Sequence, residues 1–244
     1  LKALLKKWVK LIPIAFTKNQ QYDRLTRRII QRVCRIDSNC LDVGCHKGEI
    51  LALFLHHAPQ GRHHAFEPIP HLYKHLLQNF QSPNCHIHEV ALSDKKGTTS
   101  FNYVISNPSY SGLIKRSYDR PKEEDTLITV ETDTLDTLLP ENYRVDFIKI
   151  DVEGGELQVL RGAVRLLKKW KPVIIFEHGL GASDAYGSTP EQLFDLLSHC
   201  DLAVNTLSGY VRNTTPMNQD QFSTCFYQRQ HYYFAAYPPI HAQP

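Results

Sequence analysis

The sequence predicts an α/β domain built on a mostly parallel sheet, and three observations predict it. From residue 39 onward, short apolar runs alternate with segments of helical periodicity, the rhythm of βαβ units. Turns rich in glycine or acid follow several of those runs, the position at which open α/β sheets bind ligands. With 244 residues, 42% hydrophobic and 22% charged, the chain is also long enough to bury one substantial core.

The elements follow in order. Strands are expected near 39–43, 62–66 and 85–89. Between them Ile50, Leu51, Phe54 and Leu55, then Leu72, Tyr73, Leu76, Leu77 and Phe80, are spaced to line one face of a helix. Residues 98–132 break the rhythm with two β-rich pieces, Thr98–Val104 and Leu127–Thr132, separated by a polar stretch containing Asn107-Pro108 and Arg120-Pro121. They read as an inserted hairpin with a mobile loop. Alternation resumes with a strand at Val145–Ile150, a helix from Glu156 to about Lys169 and a strand at Pro172–Glu177. A helix near 190–199, a strand near 202–207 and a terminal strand at Tyr232–Tyr237 complete the pattern. Residues 179–189 and 208–230, rich in Gly, Ser, Asn and Thr, read as loops of the length used for lids.

Charge divides the chain into a basic helical arm at 1–35 and a domain at 36–244. The arm carries ten Lys or Arg against a single acid, Asp23, whereas the remainder has 18 basic and 24 acidic residues. Leu1, Leu4, Leu5, Trp8, Leu11 and Ile12 recur at helical spacing among lysines. Such a helix packs its apolar side on its own domain or makes peripheral contact with an anionic membrane, and the first reading is preferred. No basic stripe with interleaved aromatics points to nucleic acid. No apolar run reaches the roughly 18 residues of a transmembrane span, and the start has no signal-peptide cleavage site. The six cysteines form no CxxC pair, which suits reduced thiols in a cytoplasmic protein.

The chemistry is expected at strand ends. The first strand runs into Asp42-Val43-Gly44-Cys45-His46-Lys47-Gly48. Glycines there let a backbone approach a ligand. The GxGxxG fingerprint of a nicotinamide oxidoreductase is missing, and the DxGxxxG spacing instead suits a ligand with no phosphate and a charged amino-acid end, S-adenosylmethionine. The second strand ends in Phe66-Glu67-Pro68, with Glu67 placed 19 residues beyond Gly48. A carboxylate at that tip can accept both ribose hydroxyls. Without HExxH or paired cysteines, the many histidines suggest no zinc site.

Two further segments, Val90-Ala91-Leu92-Ser93-Asp94 and Ile148-Lys149-Ile150-Asp151-Val152-Glu153-Gly154-Gly155-Glu156, join the first two in a pattern that resembles the FkbM family of methyltransferases. Companions are Thr134–Leu138, Val159–Ala163 and Ile174–Glu177, so the resemblance covers roughly 36–237. It departs from the commoner pattern at Cys45, His46 and Gly155. The resemblance implies a Rossmann-like class I methyltransferase fold, with a seven-stranded, mostly parallel sheet, an antiparallel last strand and helices on both faces. It implies bound S-adenosylmethionine and transfer to oxygen. It assigns Asp42, Gly44 and Gly48 to the methionine end of the cofactor, Glu67 with Pro68 to its ribose, and Ala91, Leu92 and Ser93 to its adenine. Asp151, Glu153 and His178 are the candidates for facing the methyl group and the acceptor hydroxyl, His178 as the base. Asp151 and Glu153 can also hold a divalent metal such as magnesium, although none is predicted. The acceptor is expected to be a small molecule or glycan, bound by the 105–125 insertion and the two long loops, with Tyr110, Tyr118, Tyr186 and Tyr210 as stacking candidates. A non-catalytic methyltransferase-like scaffold is the alternative, followed by a nicotinamide-dependent oxidoreductase, which the missing GxGxxG disfavours.

Overall fold

The computed structural model describes residues 17–116 and 123–239. The apolar half of the basic arm and Tyr118 lie outside them. Seven strands form one sheet: β1 (Cys40–Val43), β2 (His63–Phe66), β3 (Cys85–His88), β7 (Phe147–Ile150), β8 (Val173–Glu177), β9 (Ala203–Thr206) and β10 (Tyr233–Tyr237). Their order across the sheet is β3-β2-β1-β7-β8-β10-β9. The pairs from β3 to β8 are parallel, and β10 runs antiparallel to both of its neighbours. This is the seven-stranded sheet with an antiparallel last strand that the family resemblance implies.

Alternation along the strands sends side chains to two helical layers. Leu41, Val43, Ile148, Ile150, Ile174, Phe176 and Phe234 pack with α5 (Glu156–Arg161), α6 (Val164–Trp170), α7 (Pro190–His199) and α9 (Gln219–Tyr227). Cys40, Phe147, Ile175 and Ala235 face the other way, against α1 (Lys18–Val33), α2 (Glu49–His57) and α8 (Leu207–Arg212). Helix α1 starts at a capping box between Thr17 and Gln20, which satisfies otherwise orphaned amides. It buries Tyr22, Ile29 and Ile30 in that second layer, so residues 18–33 of the basic arm pack on the sheet. Helix α3 (Pro70–Asn79) and the short α4 (Leu135–Leu138) complete the helices described.

The inserted hairpin is present as β5 (Gly97–Val104) paired antiparallel with β6 (Asp125–Asp133), and β4 (Ala91–Leu92) adds a parallel third strand. Two expectations are corrected. The helix expected from Glu156 to Lys169 is two helices, because Gly162 lies under the Ser93 carbonyl, 2.1 Å from where a Cβ would sit. Its own carbonyl turns to accept from Asp136 N at 2.9 Å. The loop expected over 208–230 holds α8 and α9, capped by Thr206 and by Asn218. Their polar residues cap and cover short helices, so composition alone read as loop.

Register positions the site. Val43 is paired with Phe66 and with Ile150, and Ile150 with Phe176. The residues that follow these tips, Gly44, Glu67, Asp151 and Glu177, therefore share one edge of the sheet.

Candidate active site

The β1 turn is laced to both neighbours. Gly44 N and Cys45 N donate to Phe66 O at 3.0 and 3.1 Å, and Asp151 N donates to Val43 O at 2.9 Å. Gly44 adopts φ +78°, and a Cβ there would lie 1.8 Å from the Asp151 carbonyl oxygen. Gly48 is likewise left-handed, with Phe80 2.3 Å from the Cβ position. Both glycines thus answer first to the approach of the chain's own atoms, where the sequence suggested the approach of a ligand.

Behind this turn lies a cavity of about 220 Å³. Glu67 is buried at its rim, accepting from His46 N at 2.8 Å through Oε2 and from Ile69 N at 3.0 Å through Oε1. Burial pushes its carboxyl up to about 7, against the lowering effect of those two amides. Each oxygen retains a lone pair for a diol. Ile69, Val90, Ala91, Leu92, Phe101 and Leu113 form an apolar slot beside it, three of them (Ala91, Leu92 and Phe101) from the inserted sheet. Gly44, Glu67, Pro68, Ala91, Leu92, Asp151 and Glu153 all line this one cavity, so seven of the expected site residues converge. Gly48 and Ser93 do not line it: the Ser93 hydroxyl turns to Asp94 and its amide to Asp133 O. Asp42 sits underneath, paired in register with Lys149, with Oδ2 buried and unpartnered. Burial raises its carboxyl to about 6.

At its open end the cavity meets a second cleft of about 610 Å³. Asp151 and Glu153 line both spaces, and Glu177 lines the cleft. One oxygen from each of the three lies within 4.8 Å of the others. Asp151 Oδ2 accepts from Lys149 Nζ at 2.9 Å and from the Tyr233 hydroxyl at 2.6 Å. Burial opposes its ionisation, but Lys149 and Tyr233 outweigh it and hold the carboxyl below the usual range. Burial, then the Asp151 charge, pushes Glu153 up to about 8 despite its ion pair with Arg116. Glu177 is driven well above the carboxylate range by burial and by both neighbouring acids. Glu156 supports the loop from below: Oε1 accepts from Val152 N and Gly154 N at 3.1 and 3.2 Å. This job of binding loop backbone belongs to Glu156 and not to Asp151 or Glu153.

His178 is not brought to this cluster. It is fully buried on the other face of the sheet, 4.7 Å from the Phe226 ring and 5.8 Å from Phe222. Neither ring nitrogen has a partner, and burial lowers its pKa to about 4. Strand parity is the reason: His178 follows the side of Phe176, and Glu177 the side of the site. Tyr110 lines the cleft and Tyr186 the cavity, whereas Tyr210 packs against Tyr237 and Arg32 at the far end of the sheet. The cleft also takes Asn19, Tyr22 and Asp23 from α1, with Arg116, Arg229, Tyr232 and Tyr233. Sequence reasoning missed Lys149, Arg116 and Tyr233. Only Lys149 carried a signal, as a charge inside an otherwise apolar central strand.

A glycine turn after β1, an acid at the tip of β2 and a cavity between them, on a seven-stranded sheet of this order, define the class I methyltransferase fold. The chain belongs to the FkbM methyltransferase family, whose methyltransferase FkbM domain model matches residues 42–202. It is 28% identical to the 2-O-methyltransferase NoeI of Sinorhizobium fredii (strain NBRC 101917 / NGR234), over 60% of this chain and 65% of that protein. It is 27% identical to the methyltransferase sdnD of Sordaria araneosa, over 50% of this chain and 59% of that protein. The chain thus spans less than two thirds of either relative. Among solved structures, a methyltransferase FkbM from Methylobacillus flagellatus KT is similar at a TM-score of 0.48 and 14% identity, covering 84% of this chain and 44% of that one. No helix among the described residues is long and apolar enough to cross a membrane.

Proposed function

We propose that the chain is an S-adenosylmethionine-dependent O-methyltransferase acting on a hydroxyl of a small molecule or sugar. One observation carries the reading: the cavity that joins Glu67 to an apolar slot opens, at Asp151 and Glu153, into a cleft lined by tyrosines. The residues fit the cofactor. Glu67 offers both oxygens to a ribose diol, Ala91 and Leu92 offer apolar surface to a purine, and Gly44 with Pro68 completes the wall. Asp42, Gly48 and Ser93 support the turn and loop behind that wall. The cofactor supplies a methyl group already activated on a sulfonium, so the protein's tasks are alignment, exclusion of water and removal of the acceptor's proton. Glu153 stands at the junction of the two spaces and takes the hydroxyl proton once Arg116 yields to the acceptor. A carboxyl raised toward 8 is closer to the basicity this step needs than an ordinary one. His178 has no part in the proposal. The 2-O-methyltransferase among the relatives supports oxygen as the acceptor atom, and Tyr110 and Tyr232 in the cleft offer aromatic surface for a ring. Calorimetry with S-adenosylmethionine, followed by transfer of its labelled methyl group to a panel of hydroxylated compounds, tests the reading. Absence of binding to folded protein overturns it.

A further inference from the structure

Among the described residues, Asp151 alone lines three adjoining spaces: the proposed cofactor cavity, the proposed acceptor cleft, and a small cavity between α1 and the β1 turn. Tyr233 lines the second and third but not the first, so it touches Asp151 without reaching the cofactor. It stands opposite Glu177 in the antiparallel β8–β10 register. Its hydroxyl donates to Asp151 Oδ2 at 2.6 Å, and Lys149 Nζ donates to the same oxygen at 2.9 Å. The Lys149 ammonium also lies 4.7 Å from the centre of the Tyr233 ring. The ring therefore fixes the lysine, and both together fix one oxygen of the carboxylate. The Tyr233 ring is itself packed 5.1 Å from Tyr22 of α1, which fixes its orientation.

The neighbouring acids make this arrangement selective. Glu177 and Glu153 lie half-buried beside Asp151, and each carboxyl is pushed upward by its burial and by the neighbouring acids. Of the three carboxyls whose oxygens lie within 4.8 Å of one another, Asp151 is the one held below the usual range, and Tyr233 and Lys149 both donate to it. The cation delivered to this edge under the reading above is a sulfonium, whose charge an ionised carboxylate complements.

Resting on that reading, we propose that Tyr233 is a positioning residue that holds Asp151 as the counter-charge for the sulfonium of S-adenosylmethionine. The protein thereby distinguishes the charged donor from its neutral thioether product, S-adenosylhomocysteine, and favours exchange of product for fresh donor. The hydroxyl acts through Asp151 alone, so its effect scales with ligand charge and not with ligand shape.

The test is calorimetric and needs no acceptor. S-adenosylmethionine and S-adenosylhomocysteine are titrated into the unmodified protein, Tyr233→Phe and Asp151→Asn. The quantity read is the ratio of the thioether Kd to the sulfonium Kd. Asp151→Asn lowers that ratio by about tenfold or more, and Tyr233→Phe by roughly threefold to tenfold, the range of an ordinary hydrogen bond, because Lys149 still holds the carboxylate. The thioether Kd stays within about twofold in both variants, which also reports that the pocket is folded. A ratio unchanged in Tyr233→Phe overturns the inference, as does equal weakening of both ligands. Binding of neither nucleoside to the unmodified protein overturns the proposed function and this inference with it.

Discussion

Glu67 concentrates the cofactor reading in one side chain. Its two oxygens are held by backbone amides on either side of the β2 tip, so the carboxylate cannot turn away from the cavity. Replacing it with alanine removes both proposed ribose contacts and leaves two amides unpartnered. Affinity for S-adenosylmethionine is expected to fall by about a hundredfold, read by calorimetry. Gly44 fails in a different manner. A Cβ at φ +78° would meet the Asp151 carbonyl at 1.8 Å, a backbone atom that cannot step aside. Gly44→Ala is expected to cost more than about 3 kcal/mol in urea unfolding, and to lose binding because the β1 and β7 turns move apart. For Glu153 the prediction concerns pH. The base must be ionised, and its carboxyl sits at about 8, so kcat/KM for labelled methyl transfer rises as pH increases toward 8 and levels off above it. Glu153→Gln removes that limb and lowers turnover by roughly a hundredfold or more. A flat profile in the unmodified protein would remove Glu153 from the role of base.

Among the elements, α1 links stability to the site most directly. Its C-terminal half buries Ile29 and Ile30 against Cys40, Phe147 and Ala235, while its N-terminal half supplies Asn19, Tyr22 and Asp23 to the cleft. The Tyr232 hydroxyl donates to Asn19 Oδ1, and the Tyr22 hydroxyl meets His231 at 3.3 Å. The helix is therefore fastened to the loop before β10 as well as to the sheet. Ile30→Ala leaves a cavity that the fully buried surroundings cannot fill, and is expected to cost about 2–4 kcal/mol in chemical unfolding. It should weaken acceptor binding more than cofactor binding, since no α1 residue lines the cofactor cavity. Equal loss of both would show that α1 acts only through global stability. The inserted β4–β6–β5 sheet has the complementary role: Ala91, Leu92 and Phe101 wall the apolar slot.

At the scale of the whole molecule, one edge of the sheet collects buried acids, and this sets the response to pH. Asp42 is raised to about 6, and Glu67 and Glu156 to about 7, burial being the first cause in each case. An acid raised in the folded state keeps a proton that the unfolded chain has already shed. Its stabilising contribution is complete below about 4.5 and is lost as pH rises through about 7. Buried histidines act oppositely. His64 at about 3 and His178 at about 4 stay neutral when folded, so stability is lost as pH falls from about 6.5. Glu156→Gln isolates one acid, since the amide oxygen can still accept from Val152 N and Gly154 N. Relative to the unmodified protein, this variant is expected to gain stability between pH 5 and 7.5, by up to about 3 kcal/mol, as followed by urea unfolding. A difference that does not change with pH would mean that Glu156 stays ionised in its burial. Much of the edge was legible in the chain itself. Apolar runs marked the strands, and Asp42, Gly44, Glu67 and Asp151 stood at their ends, because a βα turn is a local event whose residues are neighbours in sequence. His178 was misplaced for an equally local reason: with both sheet faces covered, an apolar run does not say which side each residue takes. Tyr233, Arg116 and the α1 residues reach the site across 82, 37 and more than a hundred positions. Those approaches are made by strand order and helix packing. The sequence by itself thus determined the strands, the glycine- and acid-bearing turns at their ends and the family, since these depend on periodicity and short-range spacing. Only the tertiary structure decided which carboxylate is held ionised, which glycines serve packing and which histidine is withdrawn, because each depends on what long-range folding brings alongside.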